Sequence, residues 1–147
     1  MKAKHILTPF WPLLFVLLTS ASSQAFAQGV RDLKSNFYGL VIKQAIQTNS
    51  ANIQKIASGL DALVKNEGGK CEKFEGYTLP NALVTFQEFQ KDAKQKGLTY
   101  RLISRQADQS GQVAFFVLTG KKKPRIFGVW TVLFPSASGT LVLCSSR

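Results

Sequence analysis

Two cysteines, Cys71 and Cys144, stand 73 positions apart in a sequence of 147 residues. If they join, any fold must bring the segment after residue 70 alongside the end of the chain. Whether they join depends on the compartment, and the N-terminus speaks to that. Lys2 and Lys4 precede an apolar stretch from Ile6 to Leu18, and a small polar tract then ends in Ala25-Phe26-Ala27. That is the charged, apolar and A-x-A pattern of an export signal, with cleavage expected after Ala27. The rival reading is a retained anchor. The apolar run covers only 13 residues and is interrupted by Pro9 and Pro12, whereas a spanning helix needs about 20. Gln28, not a cysteine, follows the cleavage point, which argues against a lipid anchor. The expectation is a periplasmic or secreted product, soluble, built from residues 28–147 as one domain. An even cysteine count in an oxidising compartment favours a disulfide, and closing so long a loop stabilises a fold by roughly 4 kcal/mol. Two free thiols, or a catalytic Cys71, are the alternatives.

Loss of residues 1–27 also removes His5, the only histidine. Without histidine the remaining chain cannot assemble a Ser-His-Asp or Cys-His site, nor a histidine-based zinc site. No serine is followed by lysine three positions on, and neither glycine-rich phosphate motif occurs. Gly68-Gly69-Lys70 lacks the upstream glycine a P-loop requires. No catalytic residue, metal or cofactor is therefore expected. Carboxylates remain the one catalytic option, as Glu72 with Glu75 or Glu88 with Asp92, since glycoside hydrolysis uses two carboxyl groups about 5–10 Å apart. Each lies among lysines, and solvated surface charge is the preferred reading of all four. Asp32 and Asp61 fall at expected helix-surface positions.

The hydrophobic pattern changes period along the chain. Val30, Leu33, Phe37, Leu40, Val41 and Ile46 recur at three- and four-residue steps, which predicts a helix over 30–47. Thr48-Asn49-Ser50 reads as a break and a new cap. Ile53, Ile56, Leu60, Leu63 and Val64 continue the period to Glu67-Gly68-Gly69, as a second helix or as the rest of one kinked helix. Residues 71–79 read as a loop. A third helix is expected from Pro80 to a cap at Gly97, with Leu83, Phe86, Phe89 and Ala93 buried. Beyond Leu98 the pattern alternates, with turns at 108–111, 120–124 and 135–139, and predicts a four-stranded antiparallel meander. The expected fold is a two-layer α+β domain with three helices, or two if the first pair is one, packed on one face of that sheet.

Without residues 1–27 the chain keeps 17 basic residues against eight acidic ones, a net charge of +9. No acid follows Asp108, whereas Lys121, Lys122, Lys123, Arg125 and Arg147 do. Such a field attracts polyanions. Lys121-Lys122-Lys123-Pro124-Arg125 at a hairpin tip is the candidate for phosphate or head-group contact; a merely solvated turn is the alternative. Phe115, Phe116, Phe127, Trp130 and Phe134 form an aromatic series in adjacent strands, and Phe115 and Phe116 must point to opposite faces. Either one face carries an exposed aromatic patch with Trp130 as anchor, or both faces are covered. Nothing resembles the paired aromatics of an RNA-binding sheet, so sequence-specific nucleic-acid recognition is not expected.

Gly128-Val129-Trp130-Thr131, Gly139 and Cys144 give the C-terminal half a resemblance to small, uncharacterised periplasmic bacterial α+β proteins. In those, a cysteine before a helix pairs with one in a terminal W-T…G…C hairpin. The resemblance implies the disulfide and the location and adds no site. The expected function is a non-enzymatic envelope or periplasmic protein that binds or assists an anionic or protein partner, with peripheral membrane contact open. The alternative is a secreted carboxylate-based hydrolase or a cationic toxin-like protein.

Overall fold

Strands take up far more of the chain than the sequence pattern suggests. The computed structural model describes residues 29–147, and the expected signal segment lies outside them. The elements in order are β1 (Arg31–Lys34), β2 (Val41–Gln47), α1 (Ala51–Asn66), β3 (Lys73–Leu79), α2 (Ala82–Gln95), β4 (Thr99–Asp108), β5 (Gly111–Thr119), β6 (Arg125–Leu133) and β7 (Gly139–Ser146). All seven strands join one antiparallel sheet in the order β1-β2-β3-β7-β6-β5-β4. The class is α+β, but the expected three helices on a four-stranded sheet are overturned.

Three corrections account for the difference. The helix expected over 30–47 is the hairpin β1–β2. Its interior holds Tyr38 and Gly39, both at positive φ (61° and 63°), a conformation that ends any right-handed helix. β-branched Val41, Ile42 and Ile46 then favour a strand. The loop expected over 71–79 is β3, whose inward phase is Glu75, Tyr77 and Leu79. A carboxylate as first member of that phase disguises the alternation. Finally, the helices do not share a face: α1 packs on one side of the sheet and α2 on the other.

Two separate apolar clusters show this arrangement. Phe86, Phe89 and Ala93 of α2 pack with Tyr77, Phe116, Ile126, Trp130 and Leu141. Ile53, Leu60 and Val64 of α1 pack with Phe115, Val117, Phe127, Val142 and Cys144. Adjacent Phe115 and Phe116 are therefore both buried, one in each cluster. Close approach needs bare backbone at two points. A Cβ on Gly76 would overlap Ile53 of α1, and one on Gly128 would overlap the ring of Phe116 lying across it.

Local signals fix the helix ends. Ser50 Oγ accepts from Ile53 N–H (3.3 Å) and Asn81 Oδ1 from Val84 N–H (3.3 Å), satisfying orphan donors of α1 and α2. Gly68 and Gly97 leave the two helices at positive φ (80° and 79°). Asp92 joins α2 to the curled hairpin by accepting from Val41 N–H (2.8 Å) and pairing with Lys96 (2.6 Å). Asp32, expected on a helix surface, instead accepts from Gln44 N–H across β1 and β2 (3.0 Å).

Cys71 and Cys144 form a disulfide with Cα atoms 5.5 Å apart. It ties the segment before β3 to the central strand β7 beneath α1. Replacing either cysteine with serine is expected to lower stability by about 2–4 kcal/mol, as read by urea denaturation under non-reducing conditions; an unchanged midpoint would refute this.

Burial pushes the Asp92 carboxyl up, but the Lys96 hydrogen bond, the Val41 N–H and the charges of Lys96 and Lys34 outweigh it and hold it below its ordinary value. A lowered folded-state value contributes stability above the unfolded-state value, and that stability is lost as pH falls through the folded one. Asp92→Asn should cost about 1 kcal/mol at neutral pH and flatten the acid limb of a melting-temperature profile. An acid limb identical to that of the parent would contradict the assignment.

Candidate binding surface

The sheet topology gathers positive charge at one end of the molecule. The starts of β3, β4 and β6 lie beside the ends of β5 and β7, and both helices finish there. That end carries Lys70 and Lys73 before and in β3, Lys94 in the last turn of α2 with Lys96 just after it, and Arg147 after β7. The β5–β6 turn projects from it with Lys121, Lys122 and Lys123, all exposed. Among the described residues the acids at this end are already engaged: Asp92 with Lys96, Glu67 with Arg101 (3.4 Å) and Glu72 with Arg147 (3.4 Å). The three turn lysines make no ion pair among the described residues.

The lysine turn is fastened to the core from the hairpin side. Tyr38 Oη lies 2.6 Å from the Pro124 carbonyl oxygen and 3.0 Å from that of Lys122, so its one proton anchors the turn backbone. Arg125 behaves differently from its neighbours. Its guanidinium lies over the Phe127 ring, 5.1 Å from the centroid, on the α1 side of the sheet. A cation held over an aromatic face in this way is a packing contact as well as a charge.

Trp130 does not join them. It is 4% exposed, stacks on Phe86 (4.6 Å between centroids) and donates Nε1–H to the Ala82 carbonyl oxygen (3.1 Å). Trp130 is thus a core residue beneath α2, and among the described residues the exposed aromatics are Phe74 and Phe134. The structure brings Lys121, Lys122 and Lys123 together, with Arg125 turned aside and Trp130 remote.

The carboxylates expected to be solvated divide into two kinds. Glu88 pairs with Lys43 (3.4 Å), and Asp92 and Glu72 are paired as described. Glu75 is only 7% exposed and accepts from Ser35 Oγ–H (2.5 Å), Tyr77 Oη–H (2.6 Å) and Asn36 N–H (2.9 Å). It fixes the β1–β2 loop that carries Tyr38. Ser35 Oγ in turn accepts from Phe37 N–H (2.9 Å). Burial, together with the Glu75 bond and charge, pushes the Tyr77 hydroxyl well above its ordinary value. The sequence offered one usable signal for this cluster: Glu75 shares its two-residue phase with Tyr77 and Leu79.

Among the described residues no helix is long and apolar enough to cross a membrane. No protein-family model, no curated protein and no solved structure matches the chain.

Glu75→Gln replaces a three-donor acceptor with a group that itself presents N–H to those donors. It should lower stability by about 2 kcal/mol, and Tyr77→Phe by about 1 kcal/mol. Urea denaturation at neutral pH tests both, and equal stability of Glu75→Gln and the parent would show the carboxylate to be dispensable.

Proposed function

We propose that this chain is an exported, non-enzymatic protein that uses its basic end to bind a phosphate-bearing component of the cell envelope. The observation that carries the reading is the β5–β6 turn, where three exposed lysines, without acidic partners among the described residues, stand on a backbone anchored by Tyr38. Anchoring matters because a held cluster loses less conformational freedom on binding than a free tail does. The surrounding lysines add a longer-range field that favours encounter with a polyanion. Export rests on the N-terminal pattern and fits the disulfide. The carboxylates that a hydrolase would use are each engaged in ion pairs or in the buried cluster, which weighs against the enzymatic alternative.

The test compares binding to vesicles of phosphatidylglycerol and of phosphatidylcholine. The parent should bind the anionic vesicles and release them at high salt. Changing Lys121, Lys122 and Lys123 together to Gln should weaken that binding about a hundredfold, at about 1 kcal/mol per lysine near an anionic surface. The melting temperature should hardly move, because exposed charges contribute little to folding. Equal binding of the triple variant and the parent at every salt concentration would reduce the turn to a solvated loop.

A further inference from the structure

The α2 side of the sheet is not fully covered. Between α2 and the outer strands β4 and β5 lies a groove of about 340 Å³. Its floor is aromatic: Phe86, Trp130 and Tyr100 line it, with Phe86 stacked on Trp130 and edge-on to Tyr100. Two aliphatic side chains form opposite walls, Leu83 on α2 and Leu102 on β4, 41% and 43% exposed. Large apolar side chains left in water on both sides of an apolar floor describe a ligand groove better than an unfinished core.

One cation stands over this groove, and backbone geometry puts it there. Along β4, strict alternation from Tyr100 and Leu102 would bring Ser104 to the α2 side and send Arg105 to the other face. A register shift between Leu102 and Ser104 inserts one residue. Ser104 consequently pairs with Phe115 of the α1-side cluster, and Arg105 pairs with Ala114 of the α2-side cluster. Bulges of this kind re-aim side chains next to functional sites. Arg105 lines the groove and makes no ion pair or hydrogen bond among the described residues. Burial raises the Tyr100 hydroxyl while the Arg105 charge acts against it, so the two groups act on each other across the groove. Gln112 adds an amide to the same rim.

We propose that this groove binds an aliphatic monocarboxylate, with its chain on Phe86 and Trp130 between Leu83 and Leu102 and its carboxylate on Arg105. A single guanidinium matches one carboxylate in a two-pronged geometry. The volume of this open groove suits a small amphiphile rather than a protein face. The site is separate from the lysine turn and does not depend on the function proposed for it.

The experiment titrates octanoate and octanol into the exported protein, whose residues 28–147 hold Trp130 as their one tryptophan. Calorimetry reads affinity and Trp130 emission reads location. Octanoate should bind saturably with a shift in emission, and octanol at least about tenfold more weakly, the worth of one charge-assisted contact. Arg105→Gln should erase that preference, and Leu83→Gln should weaken both ligands. Arg101→Gln, on the same strand but the opposite face, should bind octanoate like the parent, as should the triple lysine variant. Absence of saturable heat with octanoate, equal affinity for octanol, or full octanoate affinity in a folded Arg105→Gln protein would each overturn the proposal.

Discussion

Burial of both faces of β5, β6 and β7 is the constraint on which the other parts of the structure depend. Five consecutive residues of β5 (114–118) and five of β6 (126–130) are buried, as are the last six of β7 (141–146). Near-continuous apolar runs of this kind are usual where helices cover a sheet on both sides, even though this sheet is antiparallel. A one-sided packing would leave Phe115, Val117, Phe127 and Val129 in water, an exposed apolar area no single-layer solution tolerates. The chain therefore has to place one helix on each side. The order of elements achieves this by inserting α1 between β2 and β3 and α2 between β3 and β4. The disulfide lies on the α1 side, beneath the smaller of the two clusters, where a covalent tie supplements the thinner apolar contact.

The two edges of the sheet are managed differently. β1 is four residues long, and the hairpin it forms with β2 curls beside α2, held by Asp92 and by the Thr85 hydroxyl bonded to the Lys43 carbonyl oxygen (2.8 Å). β4 is ten residues long and largely exposed. A bulge and the charges of Arg101 and Arg105 guard it, features that discourage pairing with another edge. The bulge that interrupts the edge also sends Arg105 over the groove.

Helical and strand periods were readable where each segment obeyed a single rule. Ser50 and Gly68 bracket α1 as caps and the apolar steps from Ile53 to Val64 fill it. The alternation at the start of β4, before its bulge, and the continuous runs of β5 to β7 are equally plain. Reading failed where a local exception carried the structure. Leu33, Phe37, Leu40 and Val41 fall at helical steps by coincidence of a hairpin whose turn is made by Tyr38 and Gly39, and Gly39 was the breaker to weigh. β3 was hidden because its inward phase begins with Glu75, and a buried carboxylate cannot be told from a solvated one by spacing alone. The lysine turn was legible from composition. Spacing alone leaves the face of Trp130 open, because it depends on which helix covers which side, and that is a property of topology.

Charge and core are separated in space, and this sets what each can do. The lysine turn lies beyond the ends of β5 and β6, so its repulsion acts across water and is screened within about 8 Å at physiological ionic strength. Its backbone is nevertheless tied inward through Tyr38, whose loop is held by Glu75, whose remaining donor Tyr77 lies in the α2-side cluster. A chain of hydrogen bonds thus runs from the core to the basic tip. Loss of the buried carboxylate would loosen the position of the lysines without removing one positive charge from them. Charge number and charge placement are therefore separable in this molecule: the first belongs to the turn itself, and the second to a carboxylate on β3.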